Sequence, residues 1–154
     1  MSRTSDKYRK VETKIEQKND DKEIRLKGDR QPGIYITRAA QLLLVDKLPY
    51  VILKGVGRAI SKALLVAEII RFRIKNLHQI NSITQNEVTD VFEPTEEGLD
   101  KVVKTRVLAV FQVKLTLQPT EEDKKSNGYQ PLIDQHLVQE MSFEQIQQHR
   151  KQSF

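Results

Sequence analysis

The 154-residue sequence predicts a two-layer α/β domain, α+β in arrangement and ordered β-α-β-α-β-β, whose four-stranded mixed sheet carries both helices on one face. Three observations predict it. Tyr50-Val-Ile-Leu53 is a continuous apolar run of strand length, the pattern of a central strand. It leads through Lys54-Gly-Val-Gly57 into a stretch free of Gly and Pro, where Ile60, Ala63, Ala67, Ile70 and Ile74 recur at steps of three and four. That spacing is an amphipathic helix. Finally, Val107, Ala109, Phe111, Val113, Leu115 and Leu117 alternate strictly, so all six are expected on one side of a strand. Right-handed crossovers put both helices on the same face.

The elements follow in order. Residues 1–22 are rich in Lys, Asp, Gln and Asn, with Val11 and Ile15 as aliphatics, and read as a basic, polar arm disordered until bound. Glu23–Lys27 reads as a short strand, broken by Gly28-Asp-Arg-Gln-Pro-Gly33. Ile34–Lys47 is helix-like, with Ala39, Ala40, Leu43 and Leu44 for a buried face, and Pro49 ends it. The central strand and the helix from Arg58 to about Lys75 come next. Leu77 to about Phe92 reads as a third strand, Pro94–Gly98 as a turn, and the alternating strand stops at Pro119. The last two strands form an antiparallel hairpin. The domain therefore spans 23–118, and 119–154 is a polar, Gln-rich extension in which Ser142 caps a short helix from Phe143 to His149 bearing Ile146. No internal repeat is present.

Composition excludes several classes of function. The sequence holds no cysteine, which removes disulfides, thiol nucleophiles and Cys-based metal sites. No run of apolar residues is long enough for a membrane helix, and the amino terminus lacks a secretory signal. A cytosolic or nuclear protein is expected. Net charge is +5 with a pI near 9.4, which favours an anionic partner.

The charge is segregated. Residues 1–30 hold ten Lys/Arg against seven Asp/Glu, and residues 54–75 hold six bases and one acid. Residues 76–100 then hold six acids and no base, and residues 101–118 hold four bases and no acid. Most charge runs are solvated faces. Two basic blocks around an acidic one, in a basic protein, raise nucleic-acid binding above that ordinary reading.

Lys54-Gly55-Val56-Gly57-Arg58 lies between a strand and a helix start, where glycines let a backbone approach an anion and free N–H groups attract phosphate. Arg58 and Lys62, four apart, share one helix face. A mononucleotide site is one reading, weakened because Ile60 occupies the third glycine position and no Gly-Lys-Ser/Thr follows. A plain turn is another. A docking surface for a polynucleotide backbone ranks first, since it needs only the cations and the N–H groups. His78, His136 and His149 show no metal spacing, and a lone His beside a strand is more often structural, although His78 is placed to stack on a base. The acids of 87–100 lack calcium-loop spacing. No catalytic set and no metal or other cofactor is indicated. With five Phe, four Tyr and no Trp, a sheet paved with stacking aromatics is disfavoured. Phe72, between Arg71 and Arg73, reads either as core or as a ring beside two cations.

Lys54-Gly-Val-Gly-Arg-Ala-Ile-Ser-Lys-Ala63, followed by Val66-Ala-Glu-Ile69, resembles the signature of the Alba superfamily, as does the element order. Asn76-Leu-His-Gln-Ile80, Phe92-Glu-Pro-Thr-Glu-Glu-Gly-Leu-Asp100 and Asn127-Gly-Tyr-Gln-Pro131 are similar to the eukaryotic branch. That branch includes the larger Alba-type subunit of ribonuclease P and ribonuclease MRP and the macronuclear-development Alba proteins. The resemblance covers Glu23 to Pro131. It implies a small non-catalytic DNA- and RNA-binding protein that dimerises with itself or with a second Alba-like chain. It points to nucleic-acid binding by Lys27 and Arg30 in the first loop, by Lys54, Gly55, Gly57, Arg58 and Lys62 at the glycine turn and helix start, and by Lys101, Lys104 and Arg106 on the hairpin. Archaeal members carry adjacent lysines where this chain has Lys27-Gly28-Asp29-Arg30, and Asp29 would repel phosphate.

The function expected is a structural subunit of a ribonucleoprotein such as ribonuclease P/MRP, acting in tRNA processing and gripping structured RNA. The alternative is a general Alba-type DNA- or messenger-RNA-binding chromatin or translational regulator. A nucleotide-using enzyme around Gly55 and Gly57, and a protein adaptor using 132–150, rank lower. RNA is the favoured partner, then DNA, with no membrane. The nucleus is favoured over the cytoplasm. Roughly 4–6 phosphate contacts would weaken binding about a hundredfold or more between low and moderate salt.

Overall fold

The computed structural model describes residues 8–14 and 21–153. The strands are β1 (Tyr8–Lys14), β2 (Glu23–Leu26), β3 (Tyr50–Val56), β4 (His78–Pro94), β5 (Val102–Thr116) and β6 (Tyr129–Gln130). The helices are α1 (Pro32–Ala40), α2 (Ile60–Arg71), α3 (Glu121–Lys125) and α4 (Phe143–Ser153). The order expected for residues 23–116 is the order found. Hydrogen-bonded strands run β1-β4-β5-β3-β2, with β6 beside β4, so the mixed sheet has two more strands than the four expected.

The chain divides into two compact units, one of Met1–Lys18 with Gln85–Ala109 and a larger one of Asn19–Thr84 with Val110–Phe154. β4 and β5 pass from one to the other. In the larger unit β2 pairs parallel with β3, and β3 pairs antiparallel with β5. Ile24, Leu26, Val51, Leu53, Val113 and Leu115 form the floor of the core. Ile36, Ala39, Ala40, Leu43, Ala63, Val66, Ala67 and Ile70 of the helical layer cover it. Small residues on α1 and α2 allow that close approach, and each aliphatic so buried contributes about 2 kcal/mol relative to exposure.

The first helix differs from expectation. Pro32 at its first turn suits a position whose N–H has no partner in the helix. After Ala40 the helix widens into a π turn over Gln41–Val45, closed by an Asp46 N–H to Gln41 carbonyl bond of 2.9 Å. Lys47, with φ of 55°, reverses the chain, so the helix ends before Pro49 has any part in ending it.

The alternating strand also differs. Phe111, Val113 and Leu115 are buried, but Val107 is 57% and Leu117 37% exposed, and Val110 on the opposite side is fully buried. Alternation records which face a side chain takes, not how far along the strand that face is covered.

The extension at 119–154 is part of the larger unit. Thr120 and Asp123 form a reciprocal cap on α3. The Ser142 hydroxyl accepts from the Gln145 N–H while the Gln145 side chain accepts from the Ser142 N–H, a capping box for α4. That helix, expected over 143–149, carries Ile146 into the core. Arg71, buried at the end of α2, donates Nη2 to the Pro131 carbonyl at 2.9 Å, and the Phe72 carbonyl accepts from the Gln139 N–H. Phe72 itself is 38% exposed.

In the smaller unit, Tyr8–Lys14 lies within the arm expected to be disordered and is instead a strand, paired antiparallel with Thr89–Pro94 of β4 across an irregularity at Lys10/Glu12. An edge strand needs main-chain partners more than an apolar pattern, so composition did not reveal it. The rest of that arm, 1–7 and 15–20, lies outside the described residues.

Candidate nucleic-acid interface

β2 delivers the chain into the 27–30 loop, which turns into α1. The Tyr35 hydroxyl accepts from the Lys27 N–H at 2.8 Å and anchors the start of the loop. Lys62, one turn into α2, closes it. Its ammonium donates to the carbonyls of Lys27 at 3.4 Å, of Gly28 at 2.9 Å and of Arg30. An ammonium has three donors and no acceptor, and here all three are directed at the loop. A Cβ built on Gly28 would lie 3.8 Å from the Cβ of Arg58. The first loop and the helix start are therefore one corner, on which Lys27, Arg30 and Arg58 are exposed. Lys62 acts there as a clip rather than as an outward-facing cation, and Asp29 is exposed within the same loop.

The glycine turn has a packing role. A Cβ on Gly55 would lie 2.7 Å from the Ala59 carbonyl oxygen and 3.1 Å from the Ala63 Cβ, so only glycine lets the helix sit this close to β3. Gly57, with φ of 56°, turns the chain into a short 3-10 segment, Gly57–Ala59, ahead of α2. Lys54 does not join the corner. Strand alternation sends it to the sheet face turned away from the helices, where its Nζ lies 3.9 Å from Glu23.

The hairpin bases belong to the smaller unit. Arg106 Nε lies 2.7 Å from Asp90, whose side chain is 6% exposed, and Lys101 Nζ lies 3.7 Å from Glu93. Lys104 Nζ stands 5.8 Å from the Phe92 ring centroid, a cation–π distance. The acidic block on β4 thus provides partners for the basic block on β5, and two of the three hairpin bases are ion-paired.

Sequence reasoning missed the sheet face turned away from the helices. Lys22 Nζ lies 4.8 Å and Lys114 Nζ 4.5 Å from the centroid of the Tyr50 ring. Lys114 also reaches Asp123 at 2.9 Å. Burial alone would raise the Asp123 pKa, but the Thr120 N–H and the Lys114 ammonium outweigh it and hold the carboxyl below its ordinary value. The strand alternation that places these residues was legible; the approach of two lysines to one ring was not. His78, the candidate for base stacking, instead stacks on Tyr129 with ring centroids 6.0 Å apart and shares a 2.8 Å hydrogen bond with its hydroxyl. Burial, and secondarily the charge of Lys124, lower its pKa. Among the described residues no group of three His, Asp or Glu is placed to hold a metal ion.

The chain is thus a small α+β protein with a mixed sheet, a helical layer on one face and a basic corner where β2 turns into α1. Residues 22–87 match the Alba family model, so the chain carries an Alba domain over these residues. It is 31% identical over 127 residues to the DNA/RNA-binding protein ALBA1 of Plasmodium falciparum, an alignment covering 82% of this chain and 50% of that protein. It is 34% identical over 84 residues to the ribonuclease P protein subunit p25-like protein of Mus musculus, covering 53% of this chain and 50% of that protein. The human counterpart is 33% identical over 84 residues, with the same shares covered. The chain spans about half the length of these curated relatives. Among solved structures, Alba from Thermoplasma volcanium aligns with a TM-score of 0.44 at 19% identity, covering 61% of this chain and 98% of that one.

Proposed function

We propose that the chain is a non-catalytic RNA-binding protein, a structural subunit of a ribonucleoprotein of the ribonuclease P/MRP kind. The observation that carries this reading is the clipped corner. Three exposed bases, Lys27, Arg30 and Arg58, stand on a loop and helix start that Lys62 ties together. Such a preorganised cluster neutralises phosphates without paying the full ordering entropy of a mobile loop. The names of the ribonuclease P relatives support the ribonucleoprotein context. Nuclear localisation and a dimer, with itself or with a second Alba-like chain, complete the proposal.

One observation favours a second reading. The relative aligned over 82% of this chain bears the name of a DNA/RNA-binding protein, which supports a general binder of DNA and messenger RNA. Recovery of the tagged chain from its own cells at moderate salt, with sequencing of the bound RNA, separates the two. One dominant structured noncoding RNA, together with a small Alba-like chain, is the expected result. A broad spread of messenger RNA, or mostly DNA, overturns the ribonucleoprotein reading in favour of the second. Arg58→Ala with Lys27→Ala should weaken RNA binding in a folded protein; unchanged affinity would remove the corner from the proposal.

A further inference from the structure

The Asn127-Gly128 pair in front of β6 takes no part in the nucleic-acid corner, and its chemistry is set by its place in the fold. The two residues are the centre of a β-turn, closed by the Tyr129 N–H donating to the Ser126 carbonyl at 3.1 Å. Asn127 is exposed. Gly128 is imposed by packing: a Cβ built there would overlap the Asn81 carbonyl oxygen and lie 2.7 Å from its carbon. The Gly128 carbonyl accepts from the Asn81 N–H at 2.8 Å. Its own N–H donates to the Ser126 hydroxyl at 3.3 Å, a long bond for an amide.

We propose that Asn127 is a site of spontaneous covalent modification, in which its side-chain amide is lost through a succinimide to give aspartate and isoaspartate. The Gly128 nitrogen gives up its proton to water and attacks Asn127 Cγ. The new N–Cγ bond forms, the Cγ–Nδ2 bond breaks, and Nδ2 takes a proton from water and leaves as ammonia. Water then opens the ring. Cleavage at Cγ gives aspartate, and cleavage at the main-chain carbonyl gives isoaspartate, whose main chain runs through the former side chain. Nothing is oxidised or reduced, and water is the co-reactant. A side chain on the following residue shields its nitrogen from this attack. Asn19, Asn76, Asn81 and Asn86 all precede residues that carry one, whereas the contact with Asn81 admits only glycine after Asn127. The fold thus requires the residue that makes this asparagine reactive.

Isoaspartate adds one atom to the main chain immediately ahead of three contacts in succession. These are the Gly128 carbonyl with the Asn81 N–H, the Tyr129 hydroxyl with His78 at 2.8 Å, and the Pro131 carbonyl with buried Arg71 at 2.9 Å. With two residue pairs to β4, β6 has no length over which to absorb the shift. Its release is the structural outcome of the modification. Hydrolysis also leaves a carboxylate, which lowers the formal net charge by one from +5.

The test incubates the full chain in mildly alkaline buffer, resolves it by ion exchange and maps its peptides by mass. A form one charge more acidic should accumulate, faster as pH rises, with its acid at position 127. Conversion there should be several-fold faster than at Asn76, Asn81 or Asn86. The isolated isoaspartate form should melt about 2–4 °C below the unaltered chain. Freshly prepared Asn127→Asp carries the charge without the longer main chain and should melt near the unaltered value. Gly128→Ala is barred by the clash, so Asn127→Gln, which keeps an amide, is the control and should stay a single species. Conversion only after unfolding, or equally fast acidification of Asn127→Gln, overturns the site. An isoaspartate form that melts with the unaltered chain overturns the release of β6.

Discussion

A lysine whose three ammonium hydrogens all point at main-chain carbonyls behaves as a cross-link more than as a mobile cation, and Lys62 has that arrangement. Replacing it with methionine keeps the aliphatic stem and removes the donors. Lys62→Met should destabilise the fold by about 1 kcal/mol and lower duplex affinity several-fold, because Lys27 and Arg30 then ride on an untied loop. The salt slope distinguishes positioning from direct contact. Removing a clip leaves it unchanged, whereas removing a residue that touches phosphate makes it shallower by about 0.9. Sequence spacing put Arg58 and Lys62 on one helix face, but Arg58 lies in the 3-10 segment Gly57–Ala59 ahead of α2, and spacing says nothing of what lies across from Lys62. The loop carbonyls come from residues more than thirty positions earlier, so their role was visible only in the fold. Gly55 is a similar case. Its place in a strand-to-helix turn was legible, while the need for glycine comes from Ala59 and Ala63 packed against it.

At the scale of elements, β6 is held by few interactions: two residue pairs with β4, the bond of the Asn81 N–H to the Gly128 carbonyl, and the His78–Tyr129 contact. Burial followed by the Lys124 charge lowers the folded pKa of His78 from an ordinary 6.5. The unfolded chain therefore binds the proton more readily, and the stability that depends on neutral His78 is present above the ordinary value and lost as pH falls toward the folded one. Melting temperature should drop between about pH 7.5 and about pH 5.5, and by less in His78→Gln. An equal drop in both proteins would show that the His78 contact does not govern this step. How legible each element was follows from what specifies it. The helix α2 announces itself because Ile60, Ala63, Ala67 and Ile70 face a core along its length. β1 has no such face to declare, and β6 is too short to carry a pattern; both arise from ladder bonds offered by β4.

For the whole molecule, formal charge overstates the number of phosphates that one chain can neutralise. Lys62 is engaged with the loop, Lys101 and Arg106 with acids on the neighbouring strand, and Lys54 with Glu23 on the other face. Of the eight candidate bases these leave Lys104, over the Phe92 ring on the hairpin, and the three bases of the corner, which are the ones placed for a duplex. At about 0.9 per phosphate their salt slope should lie near −2.7, about a fortyfold weakening of affinity for a fourfold rise in salt. That is less than the roughly hundredfold or greater weakening expected from the linear count of bases. Fluorescence anisotropy across a salt series measures it directly, and a slope of about −5 or steeper would mean that the ion-paired hairpin bases exchange their carboxylates for phosphate.

The π turn at Gln41–Val45 has a consequence for chain length. A turn closed by bonds five residues apart holds one residue more than an α-helix needs to join the same two ends. The surplus lies between Ala40, packed in the core, and the reversal at Lys47. A variant shortened by one residue within 41–45 should relax into regular α-helix without moving Pro32–Ala40 or β3. The segment is therefore the place in this helix where evolution could add or remove a single residue while leaving the fold on either side in register.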